Sequence, residues 1–522
     1  MSRSVRIGID VGGTNTDAVA MTGRHVLAWV KRPTTPGVAD GIVDALRSLL
    51  AASEFQPDDV AAVMVGTTQF VNSFIQAKGL AKTGVVRLGL PATRSLPPLV
   101  DWPAGLGKKL GDLVFLCAGG HEYDGTEIAP LDHGKLRQVA DHLAAHAAES
   151  VAITSVFSPI NADFEVEAAA ILQERMPNLH VTLSSEIGRI GLLERENATV
   201  INACLRTLAA QTVAGLQEAV TAAGITGALF VSQNDGTLMS AEYARGFPVA
   251  TFASGPTNSM RGAAFLSGLA DAAVADIGGT TADIGILSNG FPRQAPLAAE
   301  VGGVRTNFRM PDVLSLGTGG GSLVRRCADS VRVGPDSVGY ELRTRAVVFG
   351  GETLTATDLA VAAGRVEIGD PRLARGIESS VIAGGLAYIE AELAEAIDRM
   401  KISADPVPIV VVGGGGSLVP ASLPGTSRVV RPEQGEVANA IGAAMAQAGG
   451  EVDRIIHAGQ GGRRKAVDQV ISEAAARAVS AGADPDSVEV VEIDEVPISY
   501  LPGNALRVRV KAVGDLPIGA MR

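Results

Sequence analysis

The chain has 522 residues, a formal net charge of −12, 46% hydrophobic residues, 62 glycines and three cysteines. That length is enough for several domain-sized units with large cores, and the acidic balance argues against nucleic-acid binding, which leaves a basic footprint. Cys117, Cys204 and Cys327 are too few and too far apart for a disulfide framework or a thiolate zinc site, and read as buried thiols.

The first apolar run, from Val5, ends in Asp10-Val-Gly-Gly-Thr-Asn-Thr-Asp17 and leaves through a second run to Met21. This reads as a strand, a tight turn and a strand. No room is left before it for a signal peptide. A helix over 37–52, a strand over 60–65, a helix over 69–78 and a strand over 83–87 follow, with further alternation around Val151 and Val181; that alternation is an α/β domain. In the turn 121–124, His121, Glu122, Tyr123 and Asp124 make a secondary ligand candidate, weighed against an ordinary polar turn. His142 and His146 stand four apart but lack the glutamate of a two-histidine zinc motif, and read as an exposed helical face. An Ala-rich helix over 192–223 bridges into the second half.

The eight-residue pattern then returns as Asp276-Ile-Gly-Gly-Thr-Thr-Ala-Asp283, again between apolar runs. One copy alone could be an ordinary glycine-bearing hairpin; two copies argue for two related halves presenting hairpins to one ligand. In each, the glycine pair (Gly12 and Gly13, Gly278 and Gly279) lets the backbone approach an anion and point N–H groups at it. The hydroxyls of Thr14, Thr16, Thr280 and Thr281 suit phosphate oxygens. Asp10 and Asp276 would repel a polyphosphate unless a divalent cation lay between, so they predict a nucleotide with Mg2+; Asp17 and Asp283 read as closing the hairpins. Neither copy is a GxxxxGK[ST] loop or a GxGxxG fingerprint.

A helical stretch over 373–400 precedes a buried strand, Ile409 to Val412, which runs into Gly413, Gly414, Gly415, Gly416 and Ser417, a platform on which the adenosine of ATP could rest; a helix over 437–444 follows. The paired Gly449 and Gly450 read as a boundary. Beyond it, a helix over 463–481 and strands over 488–493 and 505–510 form a small α/β appendix. Uncharged runs such as 406–427 are broken by Gly and Pro, so no membrane span is expected and the protein is placed in the cytoplasm.

Hairpin, hairpin and glycine platform in this order resemble the actin, heat-shock chaperone and sugar kinase superfamily, whose two ribonuclease H-like halves close over ATP. Further blocks are similar to the hydantoinase A/oxoprolinase family over about residues 5–447: Gly66-Thr-Thr68 with Asn72, the stretch Leu183 to Asn202, Ser254-Gly-Pro256, Pro311-Asp312 and Gly317 to Ser322. The resemblance implies α/β halves over 1–190 and 191–447 with the appendix over 451–522. It also implies ATP-dependent activation of a cyclic amide or ketone, with Asp312 a candidate base, and a hydantoinase B-like second subunit or its equivalent in an oligomer. Val65 stands where the family's usual histidine precedes Gly-Thr-Thr, and Asn258-Ser259 where Gly-Gly is usual, so the substrate pocket is expected to differ. A chaperone-like reactivase and a small-molecule kinase share the same nucleotide core and are the alternatives.

Overall fold

The computed structural model describes residues 5–12, 15–33, 38–295, 299–327, 330–457, 462–498 and 505–517. The first sheet starts with β1 (Val5–Val11), β2 (Asn15–Thr22), β3 (His25–Pro33) and β4 (Val60–Thr67). β1 is buried along its whole length and pairs antiparallel with β2 and parallel with β4. The helix Val38–Ala51 covers this sheet because Ile42, Ala45, Leu46 and Leu49 form one buried stripe at helical spacing. That stripe packs with Leu216 and Val220 of the helix Leu192–Ala222.

A second unit rises from this half as β5 (Thr83–Leu90), β6 (Val114–Ala118), β7 (Ser150–Ser155) and β8 (His180–Leu183), all parallel in the order β6-β5-β7-β8. The helix Leu192–Ala222 is buried all round from Arg195 to Leu205, where it threads between this unit and its neighbours, and only on one face thereafter. It delivers the chain to β9 (Ala228–Ser232) and β10 (Leu238–Ser240). β9 lies parallel beside β4, so the first sheet draws on residues from both sides of position 190.

The second half contains β11 (Ala272–Ile277), β12 (Ala282–Ser288), β13 (Phe291–Pro292), β14 (Ala299–Val301), β15 (Val304–Thr306), β16 (Val313–Leu316), β17 (Ser322–Cys327), β18 (Ser330–Ser337), β19 (Val407–Val412) and β20 (Thr426–Val430). Its sheet runs β13-β12-β11-β19-β20. The first sheet contains β3-β2-β1-β4-β9 with the same sequence of antiparallel and parallel pairings. This repeated order is the pair of actin-like halves expected from the duplicated hairpins.

Two helices, Ser254–Ser267 and Ala438–Met445, lie between the halves. They touch backbone to backbone: a Cβ on Gly442 would lie 1.8 Å from the carbonyl oxygen of Asn258, a distance no side chain can occupy. The second helix also rests on β1 and β2 through Ala440, Ile441 and Ala444.

The C-terminal segment extends the first sheet. β21 (Ala448–His457) pairs with β10 at Leu238, then with β23 (Ala505–Gly514), and β22 (Glu489–Pro497) forms the edge. Gly449 and Gly450, read as a boundary, lie within a strand in close contact: a Cβ on Gly450 would meet the amide nitrogen of Ala478 at 2.2 Å, where the helix Arg463–Ser480 crosses. Two other expectations are corrected. Leu373–Gly376 is a single tight turn, and the long helix is Ser379–Met400, set apart by extended backbone at Glu378. Cys327 is exposed at the end of β17, whereas Cys117 and Cys204 are buried.

Candidate functional site

The two hairpins are built to one register. Asp10 faces Asp17 and Asp276 faces Asp283 as directly opposed residues, and the same bond recurs across each turn, Gly12 N–H to the Asn15 carbonyl at 3.0 Å and Gly278 N–H to the Thr281 carbonyl at 2.8 Å. Thr16 lies in β2 opposite Val11 and is fully buried, while Thr280 and Thr281 fall in the second turn. Gly13 and Thr14 lie outside the described residues.

The hairpin carboxylates share one electrostatic environment. Burial and then the charge of Asp17 push the pKa of Asp10 up to about 7, with a further upward contribution from Asp276. Burial raises Asp276, and burial lifts Asp283 to about 6. Asp17 is also raised by burial, although Lys31, the residue opposite it on β3, forms an ion pair with it at 2.5 Å and pulls it back. Ser315 on β16 donates to Asp283 at 2.5 Å.

Side chains between the halves complete the cluster. Asn439 Nδ2 donates to Asp10 Oδ2 at 3.3 Å and also favours the ionised form of Asp276. Asn258 acts in the same sense on Asp10, and Ser259 on Asp276. Close backbone approach makes room for these contacts. A Cβ on Gly66 would fall 2.3 Å from Asn258 Nδ2 and 2.7 Å from Asp10 Oδ1, and a Cβ on Gly413 would fall 2.3 Å from Asp276 Oδ1.

The glycine platform therefore belongs to the same site. Gly413 accompanies Asp276, Gly415 N–H donates to the Ile277 carbonyl at 2.8 Å, Gly414 borders open space, and Gly416 with Ser417 begins a tight turn. A second glycine run joins it, with Gly320 and Gly321 N–H groups donating to the carbonyls of Gly278 and Gly279 at 3.0 and 2.7 Å. Asp312 has a different environment: Arg293 donates to its Oδ2 through Nη2 at 2.6 Å and Nε at 3.1 Å, which ties its carboxylate into an ion pair. His121 is buried against Phe164, and His142 stacks on His146.

These residues fit a nucleotide and a divalent cation. Thr16 Oγ and Asp17 Oδ1 are buried with no hydrogen-bond partner among the described residues. Two facing acids with raised pKa values are stabilised as carboxylates by a cation. No group of three or more His, Cys, Asp or Glu side chains is placed to cage a metal among the described residues; Mg2+ is commonly held by one or two carboxylates plus phosphate oxygens. The sequence alone gives no role to Lys31, Ser315 or Asn439, since their relation to the aspartates exists only after the halves pack. Gly66, the departure Asn258-Ser259 and Gly319 to Gly321 did carry a signal as family blocks, though not of a role.

Residues 6–176 match the hydantoinase/oxoprolinase N-terminal region and residues 195–370 match the hydantoinase/oxoprolinase region. The chain is 25% identical over 466 residues to the caprolactamase subunit alpha of Pseudomonas jessenii, covering 79% of this chain and 65% of that one. It is 25% identical over 399 residues to the acetophenone carboxylase gamma subunit of Aromatoleum aromaticum, covering 69% and 53%. The chain thus spans 53–65% of the length of the curated relatives it matches. Among solved structures, the ATP-dependent caprolactamase from Pseudomonas jessenii superposes with a TM-score of 0.78 at 19% identity, over 98% of this chain and 88% of that one. A nucleotide-free acetone carboxylase superposes with a TM-score of 0.69 at 19% identity, over 99% and 89%. At that identity the two structures speak to the fold. The chain belongs to the hydantoinase/oxoprolinase family.

Proposed function

We propose that this hydantoinase/oxoprolinase-family chain binds ATP with Mg2+ between its two hairpins and activates the carbonyl of a cyclic amide, a hydantoin or a 5-oxoproline-like lactam, for hydrolysis. The observation that carries this reading is that two hairpins of one register bring Asp10 and Asp17 of the first into the electrostatic field of Asp276 of the second. Mg2+ supplies charge neutralisation at the phosphates. Asp10 and Asp276 hold it, directly or through water. Asn439, Asn258 and Ser259 orient those carboxylates and Lys31 holds Asp17, while the turns and Gly413 to Ser417 position the phosphates and adenosine.

An amide oxygen is a poor leaving group. Transfer of the γ-phosphoryl group to the carbonyl oxygen forms one O–P bond and breaks the bond to ADP. A first water adds to the carbon and the ring C–N bond opens, leaving the amine and an acyl phosphate. A second water hydrolyses the acyl phosphate, so the products are a ring-opened amino acid (an N-carbamoyl amino acid from a hydantoin), ADP and inorganic phosphate. Phosphoryl transfer asks mainly for positioning and charge stabilisation, and no covalent nucleophile of the protein is needed. Because Asp312 is engaged by Arg293, its assignment as the base requires that ion pair to open.

The relatives named as subunits of caprolactamase and of the acetophenone and acetone carboxylases support a second polypeptide that completes the site. We assign residues 451–522 to its docking and the complex to the cytoplasm. The same carbonyl activation on a ketone is a second reading, favoured by the two carboxylase relatives. The test is incubation of the chain and its co-purifying partner with Mg-ATP and a panel of lactams, hydantoins and ketones. Equal yields of ADP, free phosphate and ring-opened product support the reading. A stable phosphorylated product would instead mark a kinase, and ATP turnover stimulated by an unfolded protein a reactivase.

A further inference from the structure

A cavity of about 790 Å3 opens where the four-stranded parallel unit, the β9–β10 turn and the C-terminal extension meet, and the hairpin aspartates are not among its lining residues. Its floor is the segments that follow β7 and β8, including Ser158, Ile160, Ser185 and Glu186. Crevices beyond the carboxyl ends of parallel strands are the usual ligand sites of α/β sheets, and this volume is that of a site for a small organic molecule.

The walls carry a charge imbalance. Three acids are paired one to one with cations of β23: Lys511 Nζ lies 2.9 Å from Asp235, Arg509 Nε 2.5 Å from Glu451, and Arg507 donates to both oxygens of Asp453 at 2.9 and 2.6 Å. Glu492, which also reaches Arg509, is on the solvent side. Among the described residues, Arg189 and Arg309 then line the cavity with only shared counter-charges. Each is 3.6 Å from the already paired Asp453, Arg309 also meets Glu451, and Arg189 Nε is buried with no hydrogen-bond partner among the described residues. Crowding follows: burial, together with Arg509 and Arg189, holds the Arg309 guanidinium well below its ordinary pKa. On the opposite wall, Glu186 is faced by Arg477 and Arg206.

The Arg189 backbone is held in place from behind. Asn307 Oδ1 accepts from the Arg189 backbone N–H at 3.2 Å and its Nδ2 donates to the Arg189 carbonyl at 3.0 Å. Beside the arginines the lining is apolar, with Leu183, Phe247, Val249 and Phe308. Planar guanidinium pairs suit carboxylates, which they can grip through two parallel hydrogen bonds.

We propose that this cavity is a second ligand site, separate from the nucleotide cleft, which binds a small carboxylic acid with its carboxylate at Arg189 and Arg309 and its apolar body against Phe247, Val249 and Phe308. The ligand is either a reactant or product bearing a carboxylate or an effector of the same chemistry.

The full-length chain is titrated calorimetrically with 4-phenylbutyrate, its uncharged amide and inorganic phosphate, without nucleotide. The wild type binds the carboxylate and neither of the others. Arg189→Gln, which leaves Asp453 its Arg507 partner, weakens binding at least tenfold, and Ala162→Trp, which fills the cavity from its rim, abolishes it; both variants keep wild-type affinity for a Mg-bound non-hydrolysable ATP analogue. Failure of the nucleotide reading would leave carboxylate binding intact, so the two are separable. Carboxylate that raises turnover of the lactam-panel assay without being consumed is an effector, and carboxylate that inhibits competitively with the lactam is a reactant or product; either supports the site. No carboxylate binding by the folded wild type, equal binding of the amide or of phosphate, or unchanged binding in both variants overturns it.

Discussion

Asn439 donates a hydrogen bond from Nδ2 to Oδ2 of Asp10, joining the helix between the halves to the end of the first strand. The bond makes the position of an aspartate in one half depend on packing against the other. Asn439→Asp places a further acid beside Asp10 in the low-dielectric interior, so the Asp10 pKa rises. The variant is expected to need a higher pH and more Mg2+ to bind nucleotide, by about tenfold at pH 7, as read by titration at several Mg2+ concentrations; affinity and pH profile like those of the wild type would deny Asn439 this role.

Stability of the ligand-free chain should fall as pH rises from about 4 towards about 7. Asp10 is raised to about 7 and Asp283 to about 6 in the folded protein, so between the ordinary carboxylate pKa and these values the folded state holds more protons than the unfolded one. Unfolding then becomes easier as those protons leave, and each tenfold gain in proton affinity on folding is worth at most about 1.4 kcal/mol. Urea unfolding across this pH range should show a shallower fall for Asp10→Asn, with that variant the more stable at pH 8 in the absence of ligand. Parallel curves for the two proteins would refute the raised pKa of Asp10.

Gly413→Ala puts a methyl group where Asp276 Oδ1 lies, at a backbone φ of +82°, a conformation that favours glycine. A loss of about 1–3 kcal/mol in stability is expected, with a disproportionate loss of nucleotide affinity because the displaced group is the aspartate itself. Calorimetry and thermal unfolding on one preparation separate the two effects.

Much of the site is legible in the sequence because its residue types act locally. The two Asp-Gly-Gly-Thr patterns specify the turns wherever the strands pack, and the apolar run to Val412 delivers the glycines to Asp276. Partners contributed by distant segments are not legible in this way: Lys31 is opposite Asp17 only through the register of β2 and β3, and Asn439 reaches Asp10 only after the halves meet. Gly449 and Gly450 show the ambiguity of glycine, which serves boundaries and close contacts alike; here β21 needs Gly449 to pass Thr237 and Gly450 to pass beneath the helix Arg463–Ser480. The joining of 451–522 to the first sheet depends on the single pairing of Leu238 with Ala448, which leaves no periodic trace.

Arg87 and Glu196 form a fully buried ion pair that ties β5 to the helix Leu192–Ala222, with Arg87 Nε donating to Glu196 Oε1 at 2.7 Å. Removing one partner strands the other charge in the interior, so Arg87→Met is expected to cost about 3–5 kcal/mol. The double variant Arg87→Met with Glu196→Leu should recover part of that loss in urea unfolding, and no recovery would mean that the pair matters through shape alone.

That hairpins of one register form a Mg-nucleotide site is checked by calorimetric titration of the wild type and Asp10→Asn with a non-hydrolysable ATP analogue, with and without Mg2+. Mg-dependent binding by the wild type, weakened at least tenfold in a variant that remains folded, is the expected outcome. Equal affinity in the two proteins, binding indifferent to Mg2+, or no binding by the wild type would overturn the assignment.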